Sequence, residues 1–324
     1  MLLRTLAPWF QSLQPFAACL IVGSISFTAG AAPFAYVGNE KSGTISVIDL
    51  ATDTVVKTIE IGGKPRAMAS VDGGKTIYVS EQKSNAIVLL DTTKGTVSGS
   101  IKLGESPEGI YSSPDKKWVA AAIEEEDEVV FINTSTNKKA FEVKTKGKNP
   151  EHPVFSPDSK LLFVGAEESE FVDVIDVSQK KQIAQIKVGK RPRGIAFTPN
   201  GKFAYVGCEV ANTVYVIDVA KLTVHTTIAA GVRANGVTMH PDGSRVFVSL
   251  GGEAAVVEID TATNKITRRV AVGDRPWNMG LTADAKKLYV ANGRSKTVSV
   301  IDTATMMKVK DIAVGELPWG VFIP

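Results

Sequence analysis

A period of about 42 residues runs through this chain and limits its fold more than any other feature. One column of the repeat is an aromatic residue followed by Val. It falls at Tyr36, Tyr78, Phe163, Tyr205, Phe247 and Tyr289, with Ala120 in the remaining place. The steps are 42, 42, 43, 42, 42 and 42 residues. A second column, at Asp49, Asp91, Asn133, Asp176, Asp218, Asp260 and Asp302, has the same steps. A third is the Pro of Gly-x-x-Pro at Pro65, Pro107, Pro150, Pro192, Pro276 and Pro318, with Ala234 standing in once. Three columns sharing one period describe a tandem array of a single supersecondary unit.

The unit from 192 to 231 shows its content. RGIAF, FAYVG, TVYVID and VHTTIA are short, rich in β-branched and aromatic residues, and separated by turn residues, which reads as four strands. Thr-Pro-Asn-Gly closes the first pair, since Pro presets φ and Gly accepts positive φ. Asp218 ends the third strand, where its carboxylate can accept the next backbone amides. Four strands per 42 residues in tandem predict an all-β fold, a seven-bladed β-propeller of four-stranded antiparallel blades over 32–324. Inner strands begin after each Gly-x-x-Pro, at 66, 108, 151, 193, 235, 277 and 319. The stretch 34–61 holds only strands two to four of a blade, and 317–324 supplies the missing inner strand. Closure of the ring by pairing the two ends is therefore expected, leaving no inner edge exposed.

The repeats YVGN, YVS, YVGC and YVAN, each followed by an apolar strand that ends near Val-Ile-Asp, resemble YVTN-type β-propeller repeats over the whole of 32–324. The loops SPEG, NPEH, RPRG, RPWN and LPWG resemble more closely the PQQ-dependent catabolism-associated β-propeller proteins. Ala234 in the fifth loop and Asn133 in the second blade depart from the pattern. The resemblance implies a periplasmic accessory protein of quinoprotein-dependent alcohol catabolism. It implies a quinoprotein dehydrogenase or a c-type cytochrome as the protein partner. It does not imply that this chain holds the quinone, because Trp118, Trp277 and Trp319 do not recur blade by blade. No Cys-x-x-Cys-His is present for covalent haem, so no cofactor is expected.

Residues 1–31 differ from the rest. Arg4 is the only charge among the first thirty, 16–27 is an apolar run, and Ala29-Gly30-Ala31 ends it. That pattern predicts a secretory signal peptide and a periplasmic destination. No membrane span is expected. Removal of this segment leaves Cys208 as the one cysteine, so no internal disulfide is available. With 37 basic and 34 acidic residues, net +3, the chain has no field suited to nucleic acid. A monomer is expected.

The candidate site lies where the Gly-x-x-Pro loops and the loops between strands two and three share one face. Two residues past each Pro stand Ala67, Gly109, His152, Gly194, Gly236, Asn278 and Gly320. Small residues suit crowded inner strands, so His152 and Asn278 stand out, and they are expected on opposite sides of the mouth. Before the Pro position, Arg191, Arg233 and Arg275 occur in three consecutive blades, with Arg193 nearby. Guanidinium forks suit carboxylates and phosphates, so a small anion held by these and by Asn235, Asn278, Trp277 and Trp319 is one reading. A ring of structural salt bridges is the other. The facing loops supply the acids: Glu40, Glu81, Glu124, Glu167 and Glu209 in five neighbouring blades, with Glu125 and Glu126 beside them. Glu124, Glu125, Glu126, Glu167 and Glu209 would form a docking arc for a cationic partner.

Motifs for serine, zinc and nucleotide chemistry are absent, and no Cys/His cluster suggests a metal. The sequence therefore favours a binding or accessory role, docking a protein or holding an anionic small molecule. The alternative is a lactonase- or lyase-like enzyme that uses His152 with Glu108 or Glu151.

Overall fold

The computed structural model describes residues 34–324. The segment read as a signal peptide lies outside the described residues. Twenty-eight strands form seven four-stranded antiparallel sheets. Blades 1 to 6 occupy 65–102, 107–144, 150–187, 192–229, 234–271 and 276–313 in chain order, each running from its inner to its outer strand. Blade 7 has the strand order 318–322, 34–39, 44–49, 54–60, so the two ends of the described chain share it. Tyr36 pairs with Phe322, Val37 with Val321, Gly38 with Gly320 and Asn39 with Pro318. The expected closure is what the fold contains.

Strand alternation explains the packing. Strands two and three of each blade are sandwiched between sheets and are mostly buried and apolar. FAYVGC in blade 4 is buried after its first residue, whereas the outer strand TVHTTIA alternates exposed and covered positions. Blade 3 packs Phe163, Val172 and Val174 against Ile195, Phe197 and Val206 of blade 4. Full burial of each such side chain is worth about 1.5–3 kcal/mol. The Asp column behaves as read: Asp49 Oδ1 accepts the amides of Ala51 at 2.7 Å and Thr52 at 3.1 Å. Asn133 does the same for Ser135 at 3.0 Å and Thr136 at 3.2 Å, so this departure preserves the turn.

The aromatic column also joins neighbouring blades. Tyr205 donates to Asn264 Oδ1 of blade 5 at 2.7 Å. Tyr78 donates to Asn137 of blade 2, and Tyr289 to Asp53 of blade 7. Each acceptor lies at a left-handed turn position. Where the ring has no hydroxyl, the turn residue is apolar: Phe163 packs in one cluster with Leu222, and Phe247 with Met306. A buried phenol needs a partner and a phenyl ring does not.

Two outcomes are expected. Deleting 317–324 uncovers the edge of strand 34–39 and should lower Tm by roughly 10 °C or more; a thermal scan that finds no change excludes closure as a stabilising device. Asn264→Leu should cost about 1–3 kcal/mol by orphaning the Tyr205 hydroxyl, and adding Tyr205→Phe should recover most of that in urea unfolding.

Candidate functional site

The mouth is built by a fault repeated in every inner strand. In blade 3, Pro150 pairs with Ala166 but Pro153 pairs with Val164, so three steps on the inner strand match two on its neighbour. The same one-residue bulge opens the inner strands of the other six blades. A bulge releases residues from the ladder and re-aims their side chains. The residue after each Pro position is thereby brought to one cavity of about 190 Å³: Arg66, Glu108, Glu151, Arg193, Asn235, Trp277 and Trp319. His152 and Asn278, one residue further on, also line it.

The residue before the Pro position adopts a left-handed backbone in blades 2 to 7, at Ser106, Asn149, Arg191, Arg233, Arg275 and Leu317. Its carbonyl then accepts an amide from the facing loop of its own blade. Glu209 N–H donates to Arg191 O at 2.8 Å, Glu167 to Asn149 at 2.8 Å, Glu124 to Ser106 at 3.1 Å and Glu40 to Leu317 at 3.0 Å. In blade 1 the donor is Gln82, to Lys64 O at 3.3 Å. The column is therefore Glu40, Gln82, Glu124, Glu167 and Glu209, acidic in four of these five blades, and Glu81 stands one place outside it. Glu81 instead accepts the amides of Lys83 at 2.9 Å and Ser84 at 2.7 Å. In the next two blades the column holds Gly251 and Gly293. A Cβ at Gly251 would lie 2.9 Å from Arg275 Nη1, and one at Gly293 would lie 2.7 Å from the Trp277 ring. These gaps in the acidic column give room to Arg275 and Trp277, whose guanidinium and ring lie 5.9 Å apart.

Three of the arginines singled out in the sequence converge with Arg193 on one carboxylate. Glu209, 0% exposed, accepts from Arg275 Nη2 at 2.6 Å, Arg233 Nη1 at 2.9 Å and Arg193 Nε at 3.1 Å. Arg191 Nε lies 3.6 Å away. Arg191 also pairs with Glu167, and Arg193 with Glu151 and Glu167. Burial disfavours the Glu209 anion, but Arg193, Arg275 and Arg191 outweigh it and hold the pKa at about 2. Glu167 and Glu209 thus face inward onto arginines, while Glu125 and Glu126 stand exposed on the rim in a short 3-10 turn. Glu124 is half-buried, accepting from Ser106 Oγ at 2.9 Å. Arg233 reaches Glu209 from the outside, its side chain 50% exposed.

Glu108 pairs with Arg66, and Gln82 Nε2 donates to it at 2.6 Å. Burial, reinforced by the nearby Glu124 carboxyl, pushes Glu108 up to about 8 against the pull of Arg66. Arg66, which the sequence reading passed over, occupies the same repeat position as Arg193.

His152 is 1% exposed, and burial lowers its pKa to about 4, so it is neutral near pH 7. Its Nδ1 lies 2.9 Å from the Tyr111 hydroxyl. Its Nε2 lies 3.8 Å from Glu151 Oε2, an oxygen with no hydrogen-bond partner among the described residues. Trp319, from the closing strand, stacks on the His152 ring with centroids 5.7 Å apart and 17° between planes. Blades 3 and 7 are not neighbours, so this stack crosses the axis. Below it a second cavity of about 320 Å³ follows the inner strands past Ala67, Ala69, Val237, Met279 and Val321. Arg66, Asn278 and Trp319 border both spaces, and Asn278 Nδ2 donates to Trp319 O at 3.4 Å.

Cys208 is buried at a strand end, and its thiol is pushed up to about 12 by burial. Among the described residues, no group of three or more His, Cys, Asp or Glu side chains is placed to hold a metal ion. No described helix is long and apolar enough to cross a membrane.

Residues 177–314 match the family model described as Lactonase, 7-bladed beta-propeller. No curated protein matches the chain. Among solved structures, the chain resembles Kuenenia stuttgartiensis hydrazine synthase with a TM-score of 0.76 at 22% identity, covering 88% of this chain and 99% of that one. It also resembles a functionally unknown protein from Desulfotomaculum acetoxidans DSM 771, with a TM-score of 0.79 at 17% identity, covering 90% and 98%. At these identities the likeness is one of fold.

The Glu209 hub has a pH signature. Its pKa falls from an ordinary 4.5 to about 2 on folding. The resulting stability is present above 4.5 and is lost as pH drops through 2. Glu209→Gln should cost about 3–5 kcal/mol at neutral pH by leaving buried arginines unpaired, and should flatten stability against pH in that acid window. Urea midpoints that coincide for the two proteins from neutral pH to pH 2 would remove the hub from the stability account.

Proposed function

We propose that the mouth chamber takes a small carboxylic acid or its lactone and interconverts them. One observation carries this reading. His152 Nε2 and the unpartnered Glu151 Oε2 stand 3.8 Å apart in a buried chamber walled by arginines. Hydrolysis of a lactone adds water to the carbonyl carbon, builds negative charge on the carbonyl oxygen and delivers a proton to the departing ring oxygen. A hydrogen-bond donor and an acceptor aimed at one point serve the charge and the proton. The new carboxylate suits the arginine wall. Of the two carboxylates considered from sequence, Glu151 is the one beside His152; Glu108 shares its Oε1 between Arg66 and Gln82, and its Oε2, like that of Glu151, has no partner among the described residues. The Lactonase match supports the reading, since 177–314 contains Arg191, Arg193, Glu209 and Arg275.

A second reading keeps the chain as an exported accessory of quinoprotein-dependent alcohol catabolism that docks a dehydrogenase or a basic cytochrome. What favours it is the rim, where Val210 at 53% and Val232 at 46% are exposed on the same face as Glu125 and Glu126.

Proton release from a panel of five- and six-membered lactones, followed at constant pH, separates the two. His152→Ala should lose about 100-fold or more in turnover with the fold retained. Absence of turnover by the parent protein on every lactone, with a cytochrome or dehydrogenase retained on the immobilised protein, would replace the first reading by the second.

A further inference from the structure

We infer that Tyr111 is a positioning residue: its hydroxyl donates to His152 Nδ1 and fixes the imidazole as the Nε2–H tautomer, so His152 is the chamber's hydrogen-bond donor and Glu151 its acceptor. Two contacts, one at each ring nitrogen, lead to the same tautomer. At Nδ1 stands a phenol oxygen at 2.9 Å, and His152 is the one hydrogen-bond partner that oxygen has among the described residues. A phenol proton placed anywhere else would be left unbonded beside a ring nitrogen that can accept it. At Nε2 stands a carboxylate oxygen at 3.8 Å, the free Oε2 of Glu151. The other oxygen of that carboxylate is paired with Arg193. A nitrogen lone pair turned toward that oxygen would face a second lone pair in a buried setting. An N–H turned toward it is attracted. Burial raises the Tyr111 pKa, so the phenol keeps its proton. Trp319 covers one face of the imidazole and limits its reorientation.

This assignment deepens the proposed chemistry. With Nε2 and Oε2 3.8 Å apart, a carbonyl oxygen that accepts from the first can lie beside a water that donates to the second. For water attacking a lactone, Glu151 Oε2 takes the proton as the carbon–oxygen bond forms. The same carboxyl returns that proton to the ring oxygen as its bond to carbon breaks. His152 donates a hydrogen bond throughout and transfers no net proton, so it need never become an imidazolium. Tyr111 touches no substrate; it acts through His152. Its place in the sequence gives no hint of this role, because Tyr111 lies four residues past Pro107 and lines the lower cavity while its hydroxyl reaches up to His152.

The test needs no substrate, so its outcome is independent of the lactone assay. Protein labelled with nitrogen-15 in histidine is studied at neutral pH by two-bond proton–nitrogen correlation, and the His152→Gln variant marks the signals of His225 and His240. Expected for His152 is a protonated, pyrrole-type Nε2 and a pyridine-type Nδ1 in one dominant tautomer. Tyr111→Phe should lose roughly a tenfold tautomer preference, the weight of one hydrogen bond, and move His152 toward the averaged shifts of a mixture with Tm and the other histidines unchanged. A pyrrole-type Nδ1 in the parent protein overturns the inference, and so does a Tyr111→Phe spectrum identical to the parent's. If that variant fails to fold, the parent alone decides: a slowly exchanging Tyr111 hydroxyl proton coupled to His152 Nδ1 upholds the assignment, and a proton covalently on Nδ1 rejects it.

Discussion

The pairing of residues 318–322 with 36–39 is the contact on which the rest depends. It is the one strand pair that joins distant parts of the sequence into a single blade, and it removes the inner edge that an open ring would expose. It also carries Trp319. Because that strand sits at the axis, its indole can cross to the far side and lie on His152. Closure of the ring and closure of the mouth's floor are therefore made by the same short segment. A change that loosens the first is felt at once by the second.

Charge in the chamber follows from the bulge. Seven inner strands release one side chain each into a space of about 190 Å³, and four of these seven are ionisable. Burying them singly would be prohibitive, so they are arranged as pairs and hubs. Glu209 gathers arginines from three blades, and Arg66 links Glu108 to Glu40. The arginines read in the sequence either as an anion site or as a ring of structural salt bridges are paired with glutamates in the structure. The glutamates hold the arginines in place, and the unpartnered Glu151 Oε2, Glu108 Oε2 and Arg275 Nη1 remain beside neutral His152.

The repeat made the fold legible. Period, strand content, blade count and closure all follow from columns that can be counted. The mouth was partly legible, because His152 and Asn278 break a column of small residues, and the arginine column is visible by eye. What could not be read was register. A one-residue bulge leaves no mark in the spacing, so the residue after each Pro position, and Arg66 in particular, was undervalued. The same blindness placed Glu81 in the acidic column where Gln82 belongs. Direction was hidden too: the spacing that finds Glu167 and Glu209 cannot say that they point inward, onto arginines of neighbouring blades. Tyr111 was invisible because its role depends on a ring nitrogen of the next blade.

The alternation of Tyr–Asn and Phe–Leu contacts between neighbouring blades has a consequence for how such a ring can change. Repeats are usually regarded as interchangeable parts, gained and lost by recombination. Here five of the seven blades carry an address for their successor. Loss of blade 5 would set the hydroxyl of Tyr205 against Met306, and loss of blade 4 would set Phe163 against Asn264. The first mismatch strands the buried Tyr205 hydroxyl and the second the half-buried Asn264 amide. Blade order is thus written into the contacts, and a ring of this sequence resists being shortened or shuffled even where the backbone would permit it.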